Sequence, residues 1–269
     1  MRSLLTKKYD AGRILPAVVV EVARMTSMTP GLRRPPRALA LTDDLVARVA
    51  RVVPDTGFPA SYDSMTLLTE DDKRALSERL LHENRGAEFW IFGYGSLIWK
   101  PAFDFVEARR VVAHGWRRNY SLEVHSSRGT EEQPGLMLAL EQGGSCTGVA
   151  YRMPPDDPHG RMLRFIEREA AYREDATTIR WITVRAGQET FRALASWVAA
   201  RGDTYFLRLP ITEQAQRLAR AVGHLGSCAE YLRNTVMHLE EMGIRDSYLW
   251  RMQQLVADEI KALHPNPSD

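Results

Sequence analysis

A glycine turn between two apolar flanks is the segment of this sequence best suited to chemistry. Residues 92–101 read FGYGSLIWKP, with Gly93 and Gly95 on either side of Tyr94 and Ser96 directly after them. Glycines let a chain turn sharply and let a ligand approach the backbone closely. Consecutive amides exposed at such a turn form a concave donor site for an anion or an oxyanion. A purely structural tight turn is the alternative interpretation of the same residues.

Three familiar motifs are excluded at this turn. The dinucleotide fingerprint GxGxxG needs a glycine where Ile98 stands, and no strand–helix–strand pattern surrounds the segment. The P-loop pattern GxxxxGK[ST] is absent. A GxSxG nucleophile elbow around Ser96 would need glycines at the positions of Tyr94 and Ile98. Ser96 is therefore not predicted to be an activated nucleophile.

A second chemical feature is the charged segment FIEREAAYRED at residues 165–175. Its glutamates alternate with arginines, which is typical of a solvated helix face with ion pairs one turn apart. Glu169 differs from the others because two alanines follow it, in the one helix that interrupts a run of strands. A carboxylate in that position can face a pocket and serve as a general base.

Composition sets the class of protein. The chain has 269 residues, 44% hydrophobic and 26% charged, which is typical of one large globular domain or one domain with an extension. Its 36 Lys+Arg and 34 Asp+Glu give a net charge of +2, so neither nucleic acid nor an anionic membrane is an expected partner. Cys146 and Cys228 form no CxxC pair and are too few for a disulfide framework. We therefore predict a cytoplasmic protein with reduced thiols and no metal site.

The pattern of elements predicts four parts. Residues 1–39 are expected to be a flexible or mis-assigned N-terminal segment, whose arginines, Arg37 among them, are either solvated or contact an acidic partner. Residues 40–88 form a helical extension, with helices that begin after Thr42, ending at Pro54, and after Thr69. The main domain spans residues 89–264, and residues 265–269 form a disordered tail.

Within the main domain, strands come first and helices last. An apolar run at 89–92 is followed by five strand-like segments, at 109–124, 135–141, 146–153, 177–184 and 190–198, with one helix inserted at about 159–172. This order favours an α+β fold with a small, closed, mainly antiparallel β-barrel rather than repeated βαβ units. Apolar stripes then predict a helical C-terminal third, with one helix capped by Asp246.

Three segments together resemble the ChaC-like γ-glutamylcyclotransferases. WIFGYGSLIWKPAF at 90–103 is similar to the opening signature of that family, and REA at 168–170 falls where the family carries its catalytic glutamate. GHLGSCAEYLRNTVMHLEEMGIRD at 223–246 is similar to the C-terminal helical signature. The resemblance covers residues 89–263. One departure is AYRED after the glutamate, where the family usually carries Gly-Gly-Tyr.

The resemblance implies a closed six-stranded barrel flanked by helices and a lyase reaction that needs no cofactor. In this reaction the α-amine of glutathione attacks its own γ-carbonyl, which releases 5-oxoproline and cysteinylglycine. Glu169 would be the general acid and base. The backbone of Tyr94, Gly95, Ser96 and Leu97 would hold either the α-carboxylate or the developing oxyanion. Tyr205 matches a family tyrosine that precedes the helical tail, as a further substrate-binding residue.

Two other functions fit the same residues. The chemistry could be kept with other γ-glutamyl peptides or amines as substrates, or the barrel could be a non-catalytic γ-glutamyl-binding protein. The intact Glu169 argues against the non-catalytic alternative, because a binder has no need of the base. In each case the expected partner is a small molecule, with glutathione as the first candidate.

Overall fold

The computed structural model describes residues 37–57, 59–101, 103–199 and 206–266. In chain order the elements are α1 (Asp43–Val49), α2 (Glu70–Glu83), β1 (Trp90–Gly93), β2 (Glu107–Val124), β3 (Gly135–Arg152), α3 (Pro158–Glu169), α4 (Arg173–Ala176), β4 (Arg180–Ala186), β5 (Glu189–Ala195), α5 (Ile211–Arg220), β6 (Val222–Gly223), β7 (Gly226–Ser227), α6 (Cys228–Glu241) and α7 (Ser247–Leu263), with 3₁₀ turns at Ala60–Tyr62 and Ser96–Ile98. Residues 1–36 and 267–269, on which most of the predicted flexible N-terminal segment and tail fall, lie outside the described residues.

The barrel is closed by five strands in the order β1-β3-β2-β4-β5. Neighbouring strands are antiparallel except for β5 and β1, which meet in parallel where Leu194 lies opposite Ile91. Apolar side chains form one large buried core. Helices α5 and α6 pack against β3, and α7 packs against α1, α5 and α6. The prediction of an α+β fold with a small, closed, mainly antiparallel barrel and a helical C-terminal third is confirmed.

The expected count of six strands is wrong for the described part of the chain. The predicted strands at 135–141 and 146–153 are two halves of β3, which pairs with β2 along almost its whole length. Gly143 and Gly144 have positive φ values of 107° and 71°, so the backbone bends there without leaving the sheet. The register of β2 shifts opposite this bend, between His114 and Trp116.

The two predicted N-terminal caps are confirmed, but the first helix is shorter than expected. The Thr42 side chain accepts the amide of Leu45, and Thr69 forms a reciprocal capping box with Asp72. Helix α1 ends at Val49 rather than at Pro54. The apolar pattern beyond Val49 has no surface to pack against, since Val52 is 96% exposed, and a proline disfavours helix in the residue before it.

Arg37 contacts an acidic partner within its own chain. Its guanidinium lies 3.6 Å from the ring centroid of Trp250, and its Nη2 donates to Glu240 Oε1 at 2.8 Å. The Leu41 amide donates to Gln253 Oε1 at 2.9 Å, and the Leu41 side chain is buried. The segment before α1 is thus held against α6 and α7.

The ends of α3 and α7 matter for the site. The Asp246 side chain caps α7 by accepting the amide of Leu249, as predicted. Helix α3 ends at Glu169 instead of about residue 172, because Ala170 adopts an extended conformation with φ of −138°. Glu169 is therefore the last helical residue, and a short loop at 170–172 follows it. Among the described residues, no helix has the length and apolar character needed to span a membrane.

Candidate active site

The glycine turn follows directly after β1. Ser96–Ile98 form a single 3₁₀ turn. The Gly95 carbonyl accepts the amide of Ile98 at 3.0 Å, and the Ser96 carbonyl accepts those of Trp99 and Lys100 at 3.1 and 2.7 Å. Residues at the start of such a turn have no acceptor within it. Within this fully described turn, none of these internal bonds uses the amides at 95–97, and the Ser96 amide donates to the Tyr231 hydroxyl.

Close packing explains why glycine stands at position 95. A Cβ atom there would lie 2.7 Å from the hydroxyl of Tyr231, which is far closer than carbon–oxygen contact allows. The backbone φ of Gly95 is −130°, so no left-handed conformation is involved. Gly93 is restricted in the same way, since its Cβ would lie 3.0 Å from Tyr151 Cε2. The glycines let the turn lie directly against aromatic side chains.

The Tyr94 side chain connects the turn to the chain after β5. Its hydroxyl donates to the Ser196 carbonyl at 3.0 Å, with the Trp197 carbonyl further away at 3.4 Å. Burial raises the pKa of Tyr94 well above its ordinary value, and the nearby Tyr231 and Glu169 act in the same direction. The phenol is thus a neutral donor committed to backbone carbonyls.

A buried arginine that the sequence analysis did not single out holds the turn from behind. Arg118 is 1% exposed at its side chain, and its Nε donates to the Tyr94 carbonyl at 2.6 Å. Its two terminal nitrogens donate to Asp246 Oδ2, at 2.8 Å, and to the Thr147 carbonyl. A buried charge is stable only when paired and fully hydrogen-bonded, as it is here. The signal in the sequence was the spacing of Arg118 and Tyr120, because residues two apart in a strand face the same side of the sheet and Tyr120 is buried.

Glu169 lies next to this arrangement and is held by two partners. The Ser196 hydroxyl donates to Glu169 Oε2 at 2.7 Å, and Arg168 Nε lies 3.1 Å from Oε1. The carboxylate side chain is only 9% exposed. Arg168 also donates from Nη1 to the carbonyls of Lys100, at 2.9 Å, and Pro101, at 2.5 Å, at the end of the glycine turn. Ser196 and Arg168 therefore bring the predicted base and the predicted turn together.

Ser196 owes its position to an unusual backbone conformation next to it. Trp197 has φ of 54°, in the left-handed region, which costs a non-glycine residue on the order of 1–3 kcal/mol. Its amide donates to Thr178 Oγ1 at 3.2 Å, and its carbonyl accepts the amide of Leu140 at 2.9 Å. These bonds turn the chain at the end of β5 and direct Ser196 toward Glu169. Nothing in the sequence around residue 196 indicated this conformation.

Tyr231, inside the C-terminal signature, closes the other side of the turn. It packs edge-on against Trp99, with ring centroids 6.0 Å apart. Burial raises its pKa to about 12, and the charge of Glu169 acts in the same direction. Of the predicted substrate-binding residues, Tyr205 lies outside the described residues. Among the described residues, no group of three His, Cys, Asp or Glu side chains is arranged to hold a metal ion.

Known structures define the class of fold. A solved glutathione-specific γ-glutamyl cyclotransferase from yeast superimposes with a TM-score of 0.56 at 19% sequence identity, over 65% of this chain and 97% of that one. At this identity the likeness concerns the fold alone. The barrel with its flanking helices is therefore a γ-glutamyl cyclotransferase-type fold.

Sequence comparison defines the family. The model of the ChaC-like protein family matches residues 89–259. The chain is 33% identical over 194 residues to the glutathione-specific gamma-glutamylcyclotransferase of Escherichia coli strain K12, covering 72% of this chain and 84% of that protein. It is 30% identical over 191 residues to gamma-glutamylcyclotransferase 2-1 of Arabidopsis thaliana, covering 65% and 87%. This chain belongs to the ChaC-like family.

Proposed function

We propose that this chain is a glutathione-specific γ-glutamylcyclotransferase, a lyase with Glu169 as its general acid and base. The observation that carries the proposal is the shielded carboxylate of Glu169, held by Ser196 and by Arg168, which also binds the end of the glycine turn. The names of the relatives in Escherichia coli and zebrafish, Danio rerio, support the reaction and the substrate. Oriented base and anion-binding amides are the two devices that such a cyclisation needs.

The reaction moves two protons from the attacking nitrogen to the leaving nitrogen. The α-ammonium of the γ-glutamyl group gives one proton to Glu169, and the free amine then attacks the γ-carbonyl of the same γ-glutamyl group. The tetrahedral intermediate collapses as Glu169 gives that proton to the departing cysteine nitrogen, so that the original amide bond breaks. The ring nitrogen then loses its second proton, through Glu169, to the released amine, which leaves the neutral lactam and an ammonium group. No water is consumed and no covalent bond to the protein forms, which agrees with the absence of a nucleophile motif at Ser96.

Folding the γ-glutamyl arm is the main task of the pocket in this proposal. The amine and the γ-carbonyl must meet, and such positioning can contribute roughly 7–11 kcal/mol to lowering the barrier. The amides of residues 95–97 would hold either the α-carboxylate or the oxyanion. The Arg118 bond to the Tyr94 carbonyl supports this role, because it fixes the backbone that carries those amides. Tyr205 remains a proposed further contact.

The partner in this proposal is a small molecule, with neither nucleic acid nor a membrane surface involved. We place the reaction in the cytoplasm, where a glutathione-degrading enzyme meets its substrate. The buried, unpaired thiols of Cys146 and Cys228 fit a reducing compartment. Cell fractionation of the untagged protein, with activity followed in each fraction, tests the location.

The direct test is incubation of the purified protein with glutathione, followed by mass detection of 5-oxoproline and cysteinylglycine. We expect both products in equal amounts. A parallel incubation with γ-glutamyl-alanine addresses the substrate. Faster release of 5-oxoproline from γ-glutamyl-alanine would favour a cyclotransferase of broader range, and no turnover of either compound would overturn the enzymatic proposal.

A second test concerns the nucleophile. Glutathione acylated on its glutamyl nitrogen has no free α-amine, so we expect it to yield neither 5-oxoproline nor cysteinylglycine. It should still compete with glutathione if the pocket accepts the acyl group. Release of cysteinylglycine from the acylated compound would mean that water attacks the γ-carbonyl, and the protein would then be a hydrolase.

A further inference from the structure

A segment of the N-terminal extension runs beside the loop that follows Glu169. Residues 62–72, called the extension strap here, lead from the 3₁₀ turn at Ala60–Tyr62 into α2. The Leu68 amide donates to the Ala171 carbonyl at 3.0 Å, and the Arg173 amide donates to the Thr66 carbonyl at 2.8 Å. These two bonds form an antiparallel bridge with Leu67 opposite Tyr172. The extension thus adds a short strand to the outer edge of the loop.

Side chains reinforce this bridge on both sides. Asp72 Oδ2 accepts from Arg173 at Nε, at 3.1 Å, and at Nη2, at 3.0 Å. Hydrogen bonds from Thr69 lower the pKa of Asp72, so its carboxylate is charged at neutral pH. At the other end of the strap, the Tyr62 ring packs edge-on against Tyr172, with centroids 5.7 Å apart.

The inner side of the same loop is held by the barrel domain. The Ala170 amide donates to the Ile166 carbonyl at 2.8 Å and so ends α3. Asp175 Oδ2 accepts the amides of Ala171, at 2.9 Å, and Tyr172, at 3.0 Å. Glu169 comes directly before this loop. Its backbone is therefore fixed by α3 on one side and by a loop clamped between Asp175 and the extension strap on the other.

We propose that the extension strap positions the catalytic base, and that Asp72 and Arg173 are positioning residues for Glu169. The inference rests on the proposed function, in which Glu169 moves the proton. The Asp72–Arg173 pair is substantially exposed, with side chains 25% and 54% accessible, so it adds little to global stability. Its effect is on geometry, because displacement of a catalytic group by about 1 Å can lower a rate on the order of 10²-fold.

The test is Arg173→Gln, compared with Arg173→Lys and with Arg74→Gln. Lys keeps the charge opposite Asp72, whereas Arg74 forms an exposed pair with Asp71 on helix α2, at 3.3 Å. We expect Arg173→Gln to lower kcat for glutathione about tenfold with KM within about twofold, a shift typical of a misplaced catalytic group rather than of lost binding. Arg173→Lys should retain most of kcat, and Arg74→Gln should match the unaltered protein.

Asp72→Asn provides a second variant that preserves the α2 cap, because the Asn side-chain oxygen can still accept the Thr69 amide. If Asp72 and Arg173 act as a unit, the double variant should be no slower than either single variant. Additive losses would contradict a shared role. Unchanged kcat in both single variants, or a change in KM alone, would overturn the proposal.

Hydrogen exchange gives a readout that does not depend on turnover. Peptides covering residues 166–176 should exchange faster in Arg173→Gln than in Arg74→Gln, with equal exchange in the barrel strands. Equal exchange in these peptides would overturn the proposal even if no activity were found. If Glu169→Gln were fully active, the assigned base would be wrong. If Glu169→Gln were inactive while Arg173→Gln and Asp72→Asn were normal, only the role of the strap would fail.

Discussion

The glycine turn and the loop after Glu169 meet at Ser196 but are held in different ways. Behind the turn lies the core: Arg118 binds the Tyr94 carbonyl, and the Tyr231 hydroxyl lies 2.7 Å from the position that a Cβ of residue 95 would take. The loop is held at the surface, by the partly exposed pair of Asp72 and Arg173 and by two backbone bonds to the extension.

This difference separates contacts that stabilise the fold from contacts that adjust the position of Glu169. Contacts behind the turn cannot be removed singly without leaving a buried charge or a cavity, so changes there act on stability and binding together. Outside the loop, the Asp72–Arg173 pair is largely solvated, and its loss costs little free energy of unfolding. The turn is thus a fixed part of the barrel, whereas the placement of Glu169 can be altered from the extension. The variants below test that contrast.

The largest effect is expected for Glu169→Gln. Glutamine has the size of glutamate and can still accept from Ser196, but it cannot take the proton from the α-ammonium. We expect kcat for glutathione to fall at least about 10²-fold, which is the usual lower range for loss of a general base. The circular dichroism spectrum and the melting temperature should be close to those of the unaltered protein.

Glu167→Gln is the matched control for this prediction. Glu167 lies two residues earlier on α3 and is exposed, so its variant should keep full activity. Near-normal turnover in Glu169→Gln, with an unchanged fold, would show that Glu169 is not the base, and the contrast between the two regions would then have no catalytic meaning.

The turn was predictable from the sequence because its requirements are local. An apolar strand, two glycines and the absence of a nucleophile motif all lie within about ten residues, and the caps at Thr69 and Asp246 are equally local. The surroundings of Glu169 were not predictable, because Ser196 is 27 positions away and Asp72 is 101 positions from Arg173. Such partners meet only when the barrel closes and the extension packs on it.

Local sequence signals gave wrong predictions where tertiary packing decided the structure. The Gly143–Gly144 pair is typical of a turn, yet the long pairing with β2 carries β3 through it, which turns six predicted strands into five. Likewise, the apolar spacing after Val49 suggested a longer helix, but the Val52 side chain is 96% exposed and packs on no part of the described domain. Tyr205 stays a prediction.

Gly95→Val and Ser96→Ala compare the role of the turn's backbone with that of the Ser96 hydroxyl. Valine at position 95 would place its Cβ 2.7 Å from the Tyr231 hydroxyl, so either the turn or Tyr231 must move. Ser96→Ala removes at most one hydrogen bond to a charged group, on the order of 1.5–3 kcal/mol. We therefore expect the greater loss of activity, and of stabilisation by glutathione, in Gly95→Val.

A relief variant sharpens this comparison. If the clash with the Tyr231 hydroxyl is the cause, Gly95→Ala should be impaired, and Gly95→Ala combined with Tyr231→Phe should lose less than the two separate losses added together. Activity and glutathione-induced thermal shifts of the folded variants decide the outcome. An inactive Ser96→Ala beside a nearly normal Gly95→Val would make the serine a chemical participant.

Ser196→Ala probes the point where the two regions meet. Loss of its hydroxyl removes one of the two partners of Glu169, while Arg168 still holds the carboxylate. We expect kcat to fall roughly tenfold, near the lower end for a bond to a charged acceptor. In Glu169→Gln the same change should have almost no further effect, since the base it orients is gone. Independent, additive losses would mean that Ser196 acts on something other than Glu169.

The smallest effect is expected at Cys146, whose thiol reports whether solvent reaches the core behind the glycine turn. Its thiol is buried and lies close enough to Tyr94 to influence that residue's pKa. Burial raises the pKa of the thiol from 9.0 to about 11. The folded chain therefore keeps this proton at a pH where the unfolded chain has lost it. The stability contributed by the protonated thiol is complete below about pH 9 and declines as the pH rises through 11.

Urea titrations across this alkaline range should show the free energy of unfolding falling, with Cys146 contributing up to about 3 kcal/mol of the fall. Cys146→Ala should reduce the decline, although the pKa of Cys228, also raised to about 11, supplies a similar share.

A thiol reagent at about pH 8, below the ordinary thiol pKa, should label Cys146 only after unfolding. Arg173→Gln should not change that labelling. The loop at 170–172 can shift while the packing behind the glycine turn stays intact. Faster labelling of Cys146 in Arg173→Gln would show that the surface contacts of the extension also hold the core behind the glycine turn, and the two regions would then have to be treated as one.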